Sequence, residues 1–162
     1  MRELAYFSLG SNLGDRASNL REAMGMLEKA GTVRQASGLY ETQPVDVPDQ
    51  PWFLNCVIAL ETEKTPRGLL QIILSIEAEM GRVRMREKGP RIIDIDLLLF
   101  GDWIVNEPGL RVPHPAMHGR RFVLEPLGEI APQVRHPILG KTPQEMLAGI
   151  EGQAVRRLEC AP

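Results

Sequence analysis

The stretch Gly89-Pro90-Arg91-Ile92-Ile93-Asp94-Ile95-Asp96-Leu97-Leu98-Leu99-Phe100 decides how this chain is read. From Ile92 to Phe100 it is a run of β-branched and aliphatic residues broken only by Asp94 and Asp96, which predicts a strand. Strand side chains alternate between faces, so both carboxylates point to one side while Ile93, Ile95 and Leu97 point to the other. Downstream, Gly101-Asp102 turns the chain toward Trp103-Ile104-Val105. Upstream, Thr65-Pro66 has the N-cap and first-turn proline of a helix, which Leu69, Leu70, Ile73, Ile76, Glu77 and Met80 carry to Gly81.

Further out the pattern repeats. Trp52 to Leu60 reads as a largely buried strand, and Leu4 to Gly10 as another that ends in the turn formers Gly10 to Asp15. That turn is read as capping the first helix and packing near a site. Leu20, Ala23, Met24, Leu27 and Ala30 recur at helical spacing, closed by Gly31. Val33 to Glu41 is predicted as one strand, and Thr42 to Pro51, with Pro44, Pro48 and Pro51, as a rigid exposed loop. A short helix is predicted over Arg121 to Gly128, a last one from Thr142-Pro143 through Ile150, and a strand near Val155. There is no repeat or charged linker, so residues 1–162 are read as one domain of the α+β class, with helices on an antiparallel or mixed sheet.

The 162 residues are 43% hydrophobic and 25% charged, which is a globular composition. A net charge of −2 supplies no field for a nucleic acid or an acidic membrane, so neither is expected as a partner. Cys56 and Cys160 lie far apart without a CxxC, and both are read as reduced thiols. No apolar run is long enough to cross a bilayer and no leader pattern opens the chain, so the cytoplasm is the expected compartment.

Two like charges on one half-buried strand face repel unless a cation compensates, and hard oxygen ligands suit Mg²⁺ shared with substrate phosphates. Alone, the Asp94/Asp96 pair reads equally as a sheet edge with both carboxylates in water. The preceding segment tips the balance: Arg82, Arg84, Arg86, Lys88 and Arg91 against Glu87 leave four excess positive charges from 82 to 91. Metal on carboxylates beside guanidinium groups is what a polyphosphate requires. Neither GxxxxGK[ST] nor GxGxxG occurs, so no P-loop or Rossmann turn holds the nucleotide. His114 and His118 are four apart, but Pro113 and Pro115 spoil a regular helix between them, and His114 is read as a phosphate contact. His118 and His136 are read as surface or structural residues. Phe53 and Asn55 share a strand face and could offer a stacking ring beside an amide, although core packing explains the phenylalanine as well.

Together, Phe7-Ser8-Leu9-Gly10-Ser11-Asn12-Leu13-Gly14, Tyr40-Glu41-Thr42, Gln50-Pro51 with Phe53-Leu54-Asn55, Gly89-Pro90-Arg91 with Asp94-Ile95-Asp96, and Pro113-His114-Pro115 with Arg120 and Phe122 form one pattern. It resembles the 6-hydroxymethyl-7,8-dihydropterin pyrophosphokinase family from Ala5 to about Pro132. The resemblance implies a ferredoxin-like α+β fold, a largely antiparallel sheet with helices on its faces. It also implies transfer of the diphosphate of Mg-ATP to the pterin hydroxymethyl oxygen, leaving AMP, in folate biosynthesis.

By that resemblance Asp94 and Asp96 hold two Mg²⁺ ions, and Asp94 also orients the hydroxyl. Arg82 and Arg91 act catalytically on the transferred diphosphate and on AMP. Arg84, His114 and Arg120 grip the nucleotide, Leu97, Leu110 and Arg111 contact its adenine half, and Glu77 supports it. The pterin lies between Phe53 and Phe122, read by Asn55, Thr42, Val45 and Asp94. ATP and the pterin are the small-molecule partners, and a monomer is expected. Lys88 stands where many members carry a tryptophan, Phe53 where a tyrosine is frequent, Gln43 where a proline is frequent, and Leu74 where some members carry a polar residue. The rival reading is a non-catalytic ferredoxin-like ligand-binding module, which explains the apolar strands but not Asp94, Asp96 and Arg91 together.

Overall fold

The computed structural model describes residues 2–43, 51–81 and 92–158. Strand β1 (Glu3–Ser11) alternates, with Phe7 and Leu9 in one core cluster and Tyr6 in another on the opposite side. It runs into α1 (Arg16–Leu27), where Asp15 is the N-cap and accepts the Ser18 N–H. The expected helix stops short of Ala30: residues 28–30 form a tighter turn, and Gly31 opens β2 (Gly31–Ala36) instead of capping the helix. Its φ of 169° is ordinary extended backbone, and the glycine is required for space, because a Cβ would fall 2.2 Å from the Glu61 carbonyl oxygen.

The single strand expected over Val33 to Glu41 is two. After β2, Ser37 bonds both ways to Val57, its N–H to the carbonyl and its Oγ accepting the Val57 N–H, and the chain resumes as β3 (Tyr40–Thr42). Strand β4 (Phe53–Thr62) pairs with β1, β2 and β3. Helix α2 (Pro66–Glu79) starts as expected, with Thr65 accepting the Gly68 N–H and proline in the first turn, and it ends before Gly81 at φ 73°.

Strand β5 (Asp94–Phe100) pairs with β1, and a small hairpin follows from β6 (Val105–Glu107) and β7 (Leu110–Val112). Helix α3 (Arg121–Ile130) runs two residues beyond expectation, whereas α4 (Pro143–Leu147) stops three short of Ile150. Strand β8 (Val155–Arg157) pairs with β3. The main sheet runs β5-β1-β4-β3-β8, with β2 beside β3 on β4, and every pairing among the described residues is antiparallel.

Helices α1 and α2 bury Leu20, Leu27, Leu69 and Ile73 against the face that carries Phe7, Leu9, Ile58 and Leu60. Helices α3 and α4 bury Leu124, Leu127 and Met146 against Tyr6, Val57, Ala59 and Leu99 on the other. The free Cys56 lies inside the first cluster, where burial pushes its thiol up to about 12. The two expected surface or structural histidines meet edge to face at 6.5 Å. His136 is buried and its Nδ1 accepts the N–H groups of Ile138 and Leu139, a structural role.

Glu129 docks α3 on the sheet edge, accepting from the Gly38 N–H, the Tyr40 hydroxyl at 2.6 Å and Arg157. Burial works against its charge, but these donors outweigh it and hold the carboxyl below the usual carboxylate range. A lowered folded value stabilises above the unfolded value and is lost as pH falls through the folded one. Glu129→Gln should therefore melt below the parent at neutral pH. The gap should narrow as acid pH protonates this carboxyl, as thermal denaturation at falling pH would record.

Candidate active site

The acidic pair and the described residues expected at the pterin gather on the α3 face of the sheet. In the β1–β5 register Leu9 faces Ile95, Gly10 faces Asp94 and Ser8 faces Asp96. Since Leu9, Ile95 and Leu97 belong to the α1/α2 core, Asp94 and Asp96 point the other way, as the alternation predicts, and both are half-buried. On its other side Gly10 faces Asn55, which faces Tyr40, so a row Asp94–Gly10–Asn55–Tyr40 crosses four strands. Gly10 contributes no side chain to that row. The space between carboxylate and amide spans two strand separations, roughly 9–10 Å.

Asn55 is buried and its orientation is fixed, with Nδ2 donating to Thr42 Oγ1 at 2.7 Å. Phe53 pairs with Thr42 one step along and lies half-exposed on the same face. From α3, Phe122 packs at the edge of the second core cluster, with the Arg120 guanidinium 5.6 Å above its ring. The pterin residues of the expectation are thus brought to one face, Val45 excepted, which lies outside the described residues.

Asp96 meets a histidine and an arginine on the other side. His114 Nε2 is 3.7 Å from Asp96 Oδ1, and an Arg120 guanidinium nitrogen is 3.8 Å from Oδ2. His114 Nδ1 accepts the Ala116 N–H, which places the neutral ring's proton on Nε2, toward the carboxylate. The His114 N–H is itself tied to the Leu98 carbonyl of β5. A cleft of about 410 Å³ opens there, lined by Asp96, Leu97, Leu110, Arg111 and His114. These are the residues expected on the nucleotide side, and the cleft volume lies within the range of small-ligand sites.

Glu77 is not in that cleft's lining. It is buried on α2, and its Oε2 accepts the N–H of Ile95, the peptide between the two aspartates, at 3.0 Å. Losing that acceptor would strand a buried donor on the acidic strand, at a cost of about 1–3 kcal/mol. Glu77→Ala should raise the Mg²⁺ concentration needed for half-maximal activity several-fold, while Glu77→Gln, which keeps an acceptor, should stay near the parent. A metal titration of the three proteins tests this.

Arg82, Arg84 and Arg91 lie outside the described residues. Among the described residues no cluster of three or more His, Cys, Asp or Glu could hold a metal ion. Two carboxylates on one face therefore leave most of a coordination sphere to phosphate and water, the donor set suited to Mg²⁺ that is shared with a nucleotide. Sequence reading set Gly10 at the junction of strand and turn, within the family pattern, and gave it no role of its own; the cross-strand register supplies one. The turn does pack near the site as expected, with Asn12 Nδ2 donating to the Pro51 carbonyl.

Known proteins resemble this chain in sequence and in fold. The family model described as 7,8-dihydro-6-hydroxymethylpterin-pyrophosphokinase (HPPK) matches residues 6–132. The 2-amino-4-hydroxy-6-hydroxymethyldihydropteridine pyrophosphokinase of Methylorubrum extorquens is 45% identical, covering 96% of this chain and 98% of that protein. The Pseudomonas aeruginosa enzyme of the same name is 40% identical over 98% of each. A crystal structure of a triple mutant of Plasmodium falciparum HPPK-DHPS with SDX-DHP superposes with a TM-score of 0.73 at 20% identity, which shows likeness of fold. That match covers 91% of this chain and 44% of the Plasmodium chain, so the chain spans less than half of that solved protein.

Proposed function

This chain belongs to the 7,8-dihydro-6-hydroxymethylpterin-pyrophosphokinase family, ATP-dependent diphosphotransferases of folate biosynthesis, and on that premise we propose how its own residues divide the work. The hydroxymethyl oxygen of the pterin attacks the β-phosphorus of ATP, the bond from that phosphorus to the α–β bridging oxygen breaks, and AMP leaves with that oxygen. Asp94 and Asp96 would hold two Mg²⁺ ions together with the phosphates. Magnesium there supplies charge neutralisation on the polyphosphate and polarises the group in transfer.

The position of the acidic pair carries this reading. Asp96 lines the cleft of nucleotide size, while Asp94 lies across Gly10 from Asn55, so the two half-sites meet at the carboxylates. Leu97, Leu110 and Arg111 take the adenine half, and His114 and Arg120 contact the triphosphate, each already beside Asp96. Arg82, Arg84 and Arg91 neutralise the charge that moves to AMP and to the transferred diphosphate. Phe53 and Phe122 stack on the pterin, and Asn55, with the backbone of Thr42 and Val45, reads its polar edge. Because Thr42 Oγ1 takes one Asn55 N–H, the rest of that amide is the part aimed at a ligand.

The order β5-β1-β4-β3, with α1 and α2 on one face, supports a ferredoxin-like sheet. Residues 1–162 are read as one domain and the working unit as a monomer. No helix among the described residues is long and apolar enough to cross a membrane, and the reading places the enzyme in the cytoplasm. The ligand-binding module is not favoured, since the full-length relatives are named as pyrophosphokinases. Chromatography of a reaction holding ATP, Mg²⁺ and 6-hydroxymethyl-7,8-dihydropterin tests the proposal. AMP should form only when all three are present, and ADP in its place would overturn it.

A further inference from the structure

Strand β3 is three residues long, and it carries Thr42, the partner of Asn55, on its site face. Its register partners on β8 are Tyr40 to Arg157, Glu41 to Arg156 and Thr42 to Val155, all beyond the segment that the family model matches. The pairing continues at both ends, with the Gln43 N–H given to the Ala154 carbonyl and the Leu158 N–H to the Leu39 carbonyl. Without β8, β3 would be a bare edge strand with its outward donors and acceptors in water.

Glu41 points to the face opposite Thr42 and is the centre of a clasp. Its carboxylate, 14% exposed, accepts from Arg16 at the start of α1 at 2.9 Å and from Arg156 of β8. These two guanidinium groups hold the carboxyl below the usual carboxylate range. The other Arg16 nitrogen donates to the Trp52 carbonyl at 3.0 Å, immediately before Phe53. One carboxylate therefore ties the C-terminal strand, α1, β3 and the entry to β4 together behind Thr42, Phe53 and Asn55.

We infer that β8 is a positioning element of the pterin half of the site, acting through Arg156 and Glu41 to hold Thr42 and Phe53 in the register that the ring requires. Arg156 is a positioning residue and touches no reacting atom. The inference rests on the pterin reading of that face. The sheet order keeps its consequence selective, because β8 lies at one edge of the sheet and the nucleotide cleft at β5, the other.

Arg156 is largely exposed, so Arg156→Ala should fold like the parent. Pterin affinity, measured by fluorescence titration with Mg²⁺ and a nonhydrolysable ATP analogue present, should fall about threefold to tenfold. Affinity for the analogue with Mg²⁺ alone, measured by calorimetry, should not change. Arg156→Lys should recover part of the loss, and Glu41→Gln, which removes the charge that holds Arg16 and Arg156, should reproduce it. Parental pterin affinity in both Arg156→Ala and Glu41→Gln, or equal losses for pterin and analogue, would overturn the inference. A parent protein that binds the analogue but no pterin would sink the substrate reading itself, and the role of β8 with it.

Discussion

Replacing either Asp94 or Asp96 with alanine should lower the rate of AMP formation by about 10³-fold, roughly 4 kcal/mol in the barrier, with little change in melting temperature. Both side chains are half-buried on a face that no described helix covers completely, so their removal opens no core cavity. Stability should stay within about 0.5 kcal/mol of the parent. The chemistry has no such tolerance, because the polyphosphate brings several negative charges to a surface where Arg120 and the His114 ring are the described groups beside Asp96.

The two substitutions should also differ in kind. Asp96 lines the nucleotide cleft, so Asp96→Ala should weaken Mg-ATP binding as well as turnover. Asp94 faces Gly10 and, beyond it, Asn55, so Asp94→Ala should act on turnover and on pterin binding. Steady-state kinetics with each substrate varied in turn, beside circular dichroism of the folded variants, would check both. A variant that keeps more than a tenth of the parental rate would remove its aspartate from the metal site.

The second large effect is expected at Gly10. A Cβ built there would lie 2.7 Å from Asn55 Oδ1 and 3.5 Å from the Phe53 ring. Asn55 cannot yield by turning, since its Nδ2 is committed to Thr42 Oγ1 and the residue is buried. The strain falls on the β1–β4 pairing or on the amide, at a cost of about 1–3 kcal/mol of stability. Because the displaced group is the one proposed to read the pterin, Gly10→Ala should raise the pterin KM about tenfold or more while the KM for ATP changes little. In the double variant Gly10→Ala/Asn55→Ala the clash disappears. Stability should then recover relative to Gly10→Ala, but pterin binding should not, a non-additivity that a double-mutant cycle measures.

Local signals in the chain specify most of the elements. Thr65-Pro66 opens α2 as its sequence demands, the alternation through Ile92–Phe100 puts both carboxylates on one face, and the repeated Thr-Pro signature opens α4. These depend on propensity, capping and period, which neighbouring residues determine. The family pattern likewise singles out the acidic pair, together with Phe53, Phe122, His114 and Arg120, for the roles proposed above.

What escaped the linear reading depends on distant contacts. Val33 to Glu41 has the composition of one strand, but Ser37 is captured by Val57, twenty positions on, and the strand divides into β2 and β3. Gly31 looks like a helix stop and is instead the close approach to Glu61. Glu77 resembles a site acid, and only its fold contact shows it bonded to the Ile95 peptide. Glu41 and Arg156 are 115 positions apart, and nothing local announces that pair.

Amino-acid order therefore determined the element types, the chemistry of the acidic strand and the family, since period, caps and motifs are properties of short segments. Tertiary structure alone decided the row Asp94–Gly10–Asn55–Tyr40, the close approach of Asn55 to Gly10 and the clasp behind β3. Register between strands and burial of a charge are set by which segments meet, and that choice is made by the packing of the whole chain.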